Sequence, residues 1–201
     1  AGDIIRGWAA YSFSRTNGAW LTQHLWWHYR YTMDKGFLKT TAYPFIREIA
    51  LFCVSQVTKD AAGIYHIDYS SSPEFNDNRR ESFARDSTYD LSLIRYVLQI
   101  ASTAAELLDA DHEETRQWQH IKAHLQPYPI SPERVNCPSP ERGLAIWEGQ
   151  GLTESHRHPA QCMPIFPLGD LNIEGSDADR QLIQNTLSEL ECMGTGFWCG
   201  Y

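Results

Sequence analysis

Apolar residues recur at three- and four-residue intervals along most of this chain, and strict alternation is rare, so the pattern predicts helices. Asn17 is suited to capping, and the series Trp20, Leu21, His24, Leu25, Trp27, His28 and Tyr31 predicts a first helix with that face inward. Pro44 suits the first turn of a second helix, with Phe45, Ile46, Ile49, Phe52, Cys53 and Val57 as its expected inner face. The short alternating run Ile64 to Asp68 predicts an extended stretch instead. Ser87 and Asp90 have the spacing of a capping box. They open a helix that faces inward along Leu91, Ile94, Val97, Leu98, Ala101, Ala104, Ala105 and Leu108. Another helix is expected from Asp111 to Leu125. Ser176 or Asp177 starts the last one, with Leu182, Ile183, Leu187 and Leu190 inward and Met193-Gly194 as its C-cap.

Prolines at 127, 129, 132, 138 and 140 make the stretch between Gln126 and Arg142 irregular. A loop of that length in a compact domain is usually functional. There is no internal repeat and no alternation of strands with helices. The class is mainly α, and paired helices at regular spacing suggest a bundle or toroid.

Composition narrows the function. At 201 residues the chain can bury one sizeable core, and 42% hydrophobic content is ordinary for a globular domain. No uninterrupted apolar run approaches the ~20 residues of a membrane span. A net charge of −8 argues against a nucleic-acid partner. Seven Trp and ten Tyr exceed what a core of this size asks for and suit stacking on sugar faces. Five cysteines, odd in number and without CxxC spacing, exclude a complete disulfide framework, argue against zinc, and leave the compartment undecided. The chain opens at Ala1 without a methionine, as expected of a processed chain or a piece of a longer one.

Two loops carry candidate chemistry. In Ser70-Ser71-Ser72-Pro73-Glu74 the proline fixes its own φ and extends Ser72, so Glu74 emerges from a stiff segment. Glu74 suits a general acid if burial or a nearby carboxylate, Asp68 or Asp77, keeps it protonated; the dull alternative is a solvated loop carboxylate. The same three carboxylates suit Ca²⁺, although no EF-hand spacing is present. His156-Arg157-His158-Pro159 offers a cluster of hydrogen-bond donors. A metal at His156 and His158 lacks a recognisable third ligand and is opposed by Arg157 between them. Bonds to hydroxyls, with Arg157 forked onto a carboxylate or sugar oxygen, are favoured over a purely structural role. Asp90 reads as a helix-start residue. Of Trp20, Trp26 and Trp27, at most two can face the core, which leaves one to line a cleft.

The ordered strings Gly18-Ala19-Trp20-Leu21-Thr22-Gln23-His24-Leu25-Trp26, Ser72-Pro73-Glu74, Tyr89-Asp90-Leu91-Ser92-Leu93-Ile94-Arg95, His156-Arg157-His158 and Gly194-Thr195-Gly196 resemble glycoside hydrolase family 95. Members are inverting α-L-fucosidases and related α-L-galactosidases with an (α/α)6-barrel catalytic domain. The resemblance runs from about Asn17 to the end of the chain. It implies that Glu74 is the general acid, that Arg157 and His158 contact the sugar, and that Trp20 lies near it. Two departures stand out: Phe75 replaces the usual asparagine after the acid, and Ala160-Gln161 replaces a Ser-His pair.

Family members activate the attacking water with an asparagine pair upstream of the Gly-Ala-Trp-Leu motif and an aspartate downstream. Neither can be placed here, so the resemblance implies that residues 1–201 are the central part of an (α/α)6 barrel, truncated at both ends. An inverting site needs its second carboxyl about 6.5–9.5 Å from the acid, with water between. The expected partners are an oligosaccharide or polysaccharide and the rest of the catalytic domain, with no nucleic acid and no membrane span. No metal or cofactor is required, because acid and base supply the proton transfers. The resemblance implies a periplasmic or extracellular location. The alternatives are a non-catalytic helical carbohydrate-binding domain and a polysaccharide lyase. A lyase acting on uronates wants a basic cleft, which the acidic balance disfavours.

Overall fold

A computed structural model describes residues 14–132, 142–153 and 156–192, and it is all-α in class. The predicted Met193-Gly194 cap, the Gly194-Thr195-Gly196 string, Cys137 and Cys199 lie outside the described residues, as does much of the proline-rich stretch. The chain divides into two compact units. One comprises Arg15–Ile67 and Leu93–Gln126; the other is built on Asp68–Ser92 and the described residues from Pro127 on.

In the first unit, α1 spans Asn17–Thr32. A helical turn, Lys35–Phe37, runs through a π turn, Leu38–Ala42, into α2, Tyr43–Gln56, with proline in its first turn as expected. Strands β1 (Thr58–Lys59) and β2 (Tyr65–His66) pair antiparallel, so only the centre of the predicted extended stretch is a strand. Helix α3 spans Thr88–Leu108 and α4 spans His112–His124. α1 packs against α2, and α2 against α4.

The inner faces of α1 and α2 differ from expectation. α1 buries Ala19, Thr22, Gln23, Trp26 and Tyr29, while Leu21 and Trp27 face solvent and Tyr31 is 89% exposed. Aromatic residues occupy both sides of this helix, so periodicity alone could not choose the buried one. Thr22 is admitted inside because its hydroxyl bonds the Ala19 carbonyl. α2 buries Tyr43, Ile46, Ala50 and Cys53 on one stripe and leaves Phe45 and Phe52 outside. The Tyr43 hydroxyl donates to the Asp111 carboxylate, which also takes Arg47 Nε at 3.1 Å. Burial, then that bond, pushes the Tyr43 phenol above its usual range; the bond from Tyr43, with Arg47, holds Asp111 below the usual carboxylate range.

Helix α3 matches its pattern: Leu91, Ile94, Val97, Leu98, Ala101, Ala104 and Ala105 are buried, and Leu108 is half-buried. It is long and apolar enough to cross a membrane by length and composition, but 67% of that window is buried inside the protein, as in a core helix. Arg95 on α3 closes the end of α4. Its guanidinium donates to the carbonyls of Lys122 at 3.1 Å, Leu125 at 3.1 Å and Gln126 at 2.6 Å.

The second unit holds α5, Asp177–Cys192, and a set of loops packed on it. Here the predicted face is met in part: Ile183 is buried and Leu182 and Leu190 are half-buried against buried clusters, while Leu187 is exposed. The buried stripe is Ile183, Asn185, Thr186 and Glu189. These polar groups are inside because they bind loop backbone. Asn185 Nδ2 donates to the Arg142 carbonyl at 3.2 Å, and Leu144 N donates to Thr186 Oγ1 at 3.0 Å. Glu189 accepts from Ser131 Oγ at 2.8 Å and Gly143 N at 3.3 Å. Isolated bridges between Ile130 and Leu144, and between Trp147 and Gln150, brace the same segment.

Gly143 lies so close to α5 that a Cβ there would stand 2.5 Å from Thr186 Cα and 2.8 Å from Thr186 N. Those are backbone atoms and cannot turn aside. Gly143→Ala is therefore expected to push the segment off α5 and cost about 2 kcal/mol, lowering the melting temperature by roughly 4–8 °C. An unchanged melting curve would show that the segment is not held as described.

Candidate active site

The loop carrying Glu74 is folded back on itself. Ser70 and Ala84 exchange two backbone bonds of 2.8 Å, closing its neck. Asp68 and Arg85 pair at 3.1 Å just outside that neck. At the tip, Phe75 N donates to the Ser72 carbonyl at 3.2 Å, and Ser82 Oγ donates to the Phe75 carbonyl at 2.7 Å. Glu74 sits at φ 58, with Asn76 at 50 and Asp77 at 52, three left-handed residues that are not glycine. Such a backbone persists only where surrounding bonds enforce it.

Phe75 is the hinge of this site's packing. It is buried in a cluster with Ile146 and Leu152, against which Trp147 and Leu190 pack. The Trp147 ring meets Phe75 edge-on at 5.2 Å between centroids, and His156 lies against its other flank at 5.9 Å. His156 Nδ1 in turn receives the His158 amide at 3.1 Å, which tightens the turn through Arg157. A bulky aromatic after the glutamate thus seats the histidine loop beside it.

The consequence is a three-residue cluster. Arg157 Nε stands 2.7 Å from Glu74 Oε2, its Nη2 bonds the same oxygen, and His158 Nε2 lies 3.0 Å from it. The glutamate side chain is only 17% exposed, whereas that of Arg157 is 64% exposed. So Glu74, Arg157 and His158 come together, although 83 residues separate the first two. Trp20, the other residue assigned to the sugar, belongs to the first unit, half-buried in the first turn of α1. The Ca²⁺ alternative gains nothing: Asp68 pairs with Arg85, Asp77 with Arg79 at 3.2 Å, and Glu74 with Arg157. Among the described residues no group of three or more metal-ligating side chains occurs.

The profile of the "Glycosyl hydrolase family 95 catalytic domain" matches residues 3–199. The chain belongs to glycoside hydrolase family 95. It is similar to "Alpha-L-fucosidase 2" of Arabidopsis thaliana, with 28% identity over 198 residues, covering 96% of this chain and 23% of that protein. It is also similar to "Probable alpha-fucosidase A" of Aspergillus niger, with 34% identity over 56 residues, 28% of this chain and 7% of that protein. The chain therefore spans less than a quarter of the length of these relatives. Sequence reading placed the charged members of the cluster but missed Trp147, because a contact between rings 72 positions apart leaves no periodic trace.

Proposed function

We propose that the protein carrying this chain is a glycoside hydrolase that cleaves α-L-fucosyl or the stereochemically similar α-L-galactosyl linkages in glycans, with inversion. The observation that carries the reading is the meeting of Glu74 with Arg157 and His158 in a family 95 chain. In this reading Glu74 protonates the departing glycosidic oxygen. A base and a bound water on the far face of the sugar come from outside these residues, at the separation that inversion needs, about 6.5–9.5 Å. Acid and base together supply the proton transfers without a cofactor.

The observed contacts give Arg157 and His158 a second task. Arg157 and His158 occupy the Glu74 carboxylate, whereas an acid must present that group to the glycosidic oxygen when substrate is bound. An entering sugar offers hydroxyl oxygens to the exposed guanidinium, drawing it from Glu74 as the bond to be cleaved arrives. The departures at Phe75 and at Ala160-Gln161 bear on which sugar is preferred.

Residues 1–201 are proposed to be the central part of an (α/α)6 barrel. The outward aromatic side chains Trp27 and Tyr31 on α1 and Phe45 and Phe52 on α2 support further packing partners, as do the longer relatives. A periplasmic or extracellular location is supported by Cys192, which is disulfide-bonded, since disulfides persist in oxidising compartments.

The test is direct. The intact protein, given an α-L-fucosyl disaccharide, is expected to release β-L-fucose first, seen by proton NMR before mutarotation. Release of the α anomer first would overturn inversion. Binding without hydrolysis would favour the carbohydrate-binding domain instead.

A further inference from the structure

The chain contains two Ser-x-x-Asp sequences at helix starts, and they behave differently. At α5 the box closes on itself: Asp179 N donates to Ser176 Oγ at 3.1 Å, and Ser176 N donates to Asp179 Oδ2 at 2.9 Å. At α3 only the first half forms, Asp90 N donating to Ser87 Oγ at 3.1 Å. The second half is diverted. Ser87 N donates to Ser70 Oγ at 2.9 Å, and the Asp90 carboxylate reaches past it into the neck of the Glu74 loop. There Asp90 Oδ2 lies 2.6 Å from Ser70 Oγ and 3.2 Å from Ser71 N. Ser70 Oγ is also 2.7 Å from Ser87 Oγ, which bonds the Ser71 carbonyl at 2.8 Å.

Capping alone does not account for this arrangement. The Ser176 box does the same service at the surface, where water shares the load. Asp90 is only 5% exposed, Ser70 and Ser87 are fully buried, and Ser71 and Ser72 nearly so. Burying a carboxylate is costly unless every bond it makes is good, so its retention here asks for a task beyond starting a helix. The next residue points to that task. Thr88 Oγ1 donates to the Ala145 carbonyl at 2.7 Å and Thr88 N to the Ile146 carbonyl at 2.9 Å. Those carbonyls lead directly to Trp147, whose ring presses on Phe75. One helical turn therefore grips the segment entering Glu74 and the segment bracing the residue after it.

We propose that Asp90, acting through Ser70 and Ser71, is a positioning residue for the Glu74 acid. It fixes the direction in which Ser70-Ser71-Ser72-Pro73-Glu74 leaves the helix start. Only Ser72 and Pro73 separate Ser71 from Glu74, and every member of the run is tied or conformationally restricted, so a shift at the neck carries to the carboxyl group. This inference rests on the assignment of Glu74 as general acid.

The experiment compares Asp90→Asn, Ser70→Ala and Glu74→Gln in the intact protein, on two α-L-fucosides: one with an alkyl leaving group that needs protonation, one with an activated aryl group that does not. For Asp90→Asn we expect kcat on the alkyl glycoside to fall about tenfold with KM nearly unchanged, and kcat on the aryl glycoside to hold within about twofold. Ser70→Ala is expected to move both values in the same sense, and it leaves only a small void should Asp90→Asn fail to fold. Equal losses on both substrates, or none on either, would overturn the proposal by making Asp90 a purely structural group. Glu74→Gln separates the two assignments. If it shows the leaving-group contrast while Asp90→Asn and Ser70→Ala do not, only the positioning role falls; if it shows no contrast, the acid assignment falls and takes this inference with it.

Discussion

Glu74→Gln should lower kcat/KM on a glycoside with a poor leaving group by ~10²–10⁴-fold, the usual worth of general acid catalysis. Glutamine keeps the length and shape of the side chain, tolerates the same left-handed backbone, and still offers an oxygen to Arg157 and His158. What it lacks is a transferable proton. An activated aryl glycoside, whose departing oxygen is stable as an anion, should lose much less. That contrast separates an acid from a structural residue, because misfolding would depress both substrates together. Measuring kcat/KM for the two leaving groups in the variant and the parent decides the matter. A parallel loss, or no loss, would remove Glu74 from the acid role.

Arg157→Ala should lower kcat/KM by roughly 10–10²-fold, the equivalent of one or two charge-assisted hydrogen bonds to the sugar, and mostly through KM. The guanidinium is the most exposed member of the cluster and the one free to follow a ligand. Lysine should not restore the loss, because a single ammonium cannot reproduce the planar fork that meets Glu74 here. The opposite outcome is informative. If Arg157→Ala leaves kcat/KM unchanged or raises it, the arginine serves only to hold Glu74 between turnovers, and sugar recognition belongs to other side chains.

Much of the local organisation could be read without coordinates. The start of α3 follows from Ser-x-x-Asp spacing, that of α5 is narrowed to Ser176 or Asp177, Pro44 marks the first turn of α2, and the buried face of α3 follows from its apolar period. The Ser-Pro-Glu and His-Arg-His strings stand out because chemistry-bearing residues on stiff loops are rare. These signals are local: a cap, a proline or a stripe acts within one or two turns of chain.

What needed the tertiary structure is what depends on residues far apart. The chain carries apolar side chains on several faces of α1, α2 and α5, and burial went to the face whose polar members could be satisfied. Thr22 sits inside on its own helix, and Asn185, Thr186 and Glu189 sit inside because the Ser131 hydroxyl and the backbone at 142–144 come to them. Leu187 is left outside for the same reason, since α5 has one inner face and loop carbonyls and amides claim it. Asp90 is the sharpest case. Its sequence context fixed its backbone as a helix start, but the direction of its carboxylate was decided by Ser70 and Ser71, 20 and 19 positions away. A buried charge settles where its hydrogen bonds can be completed, and only the folded chain determines where those partners are.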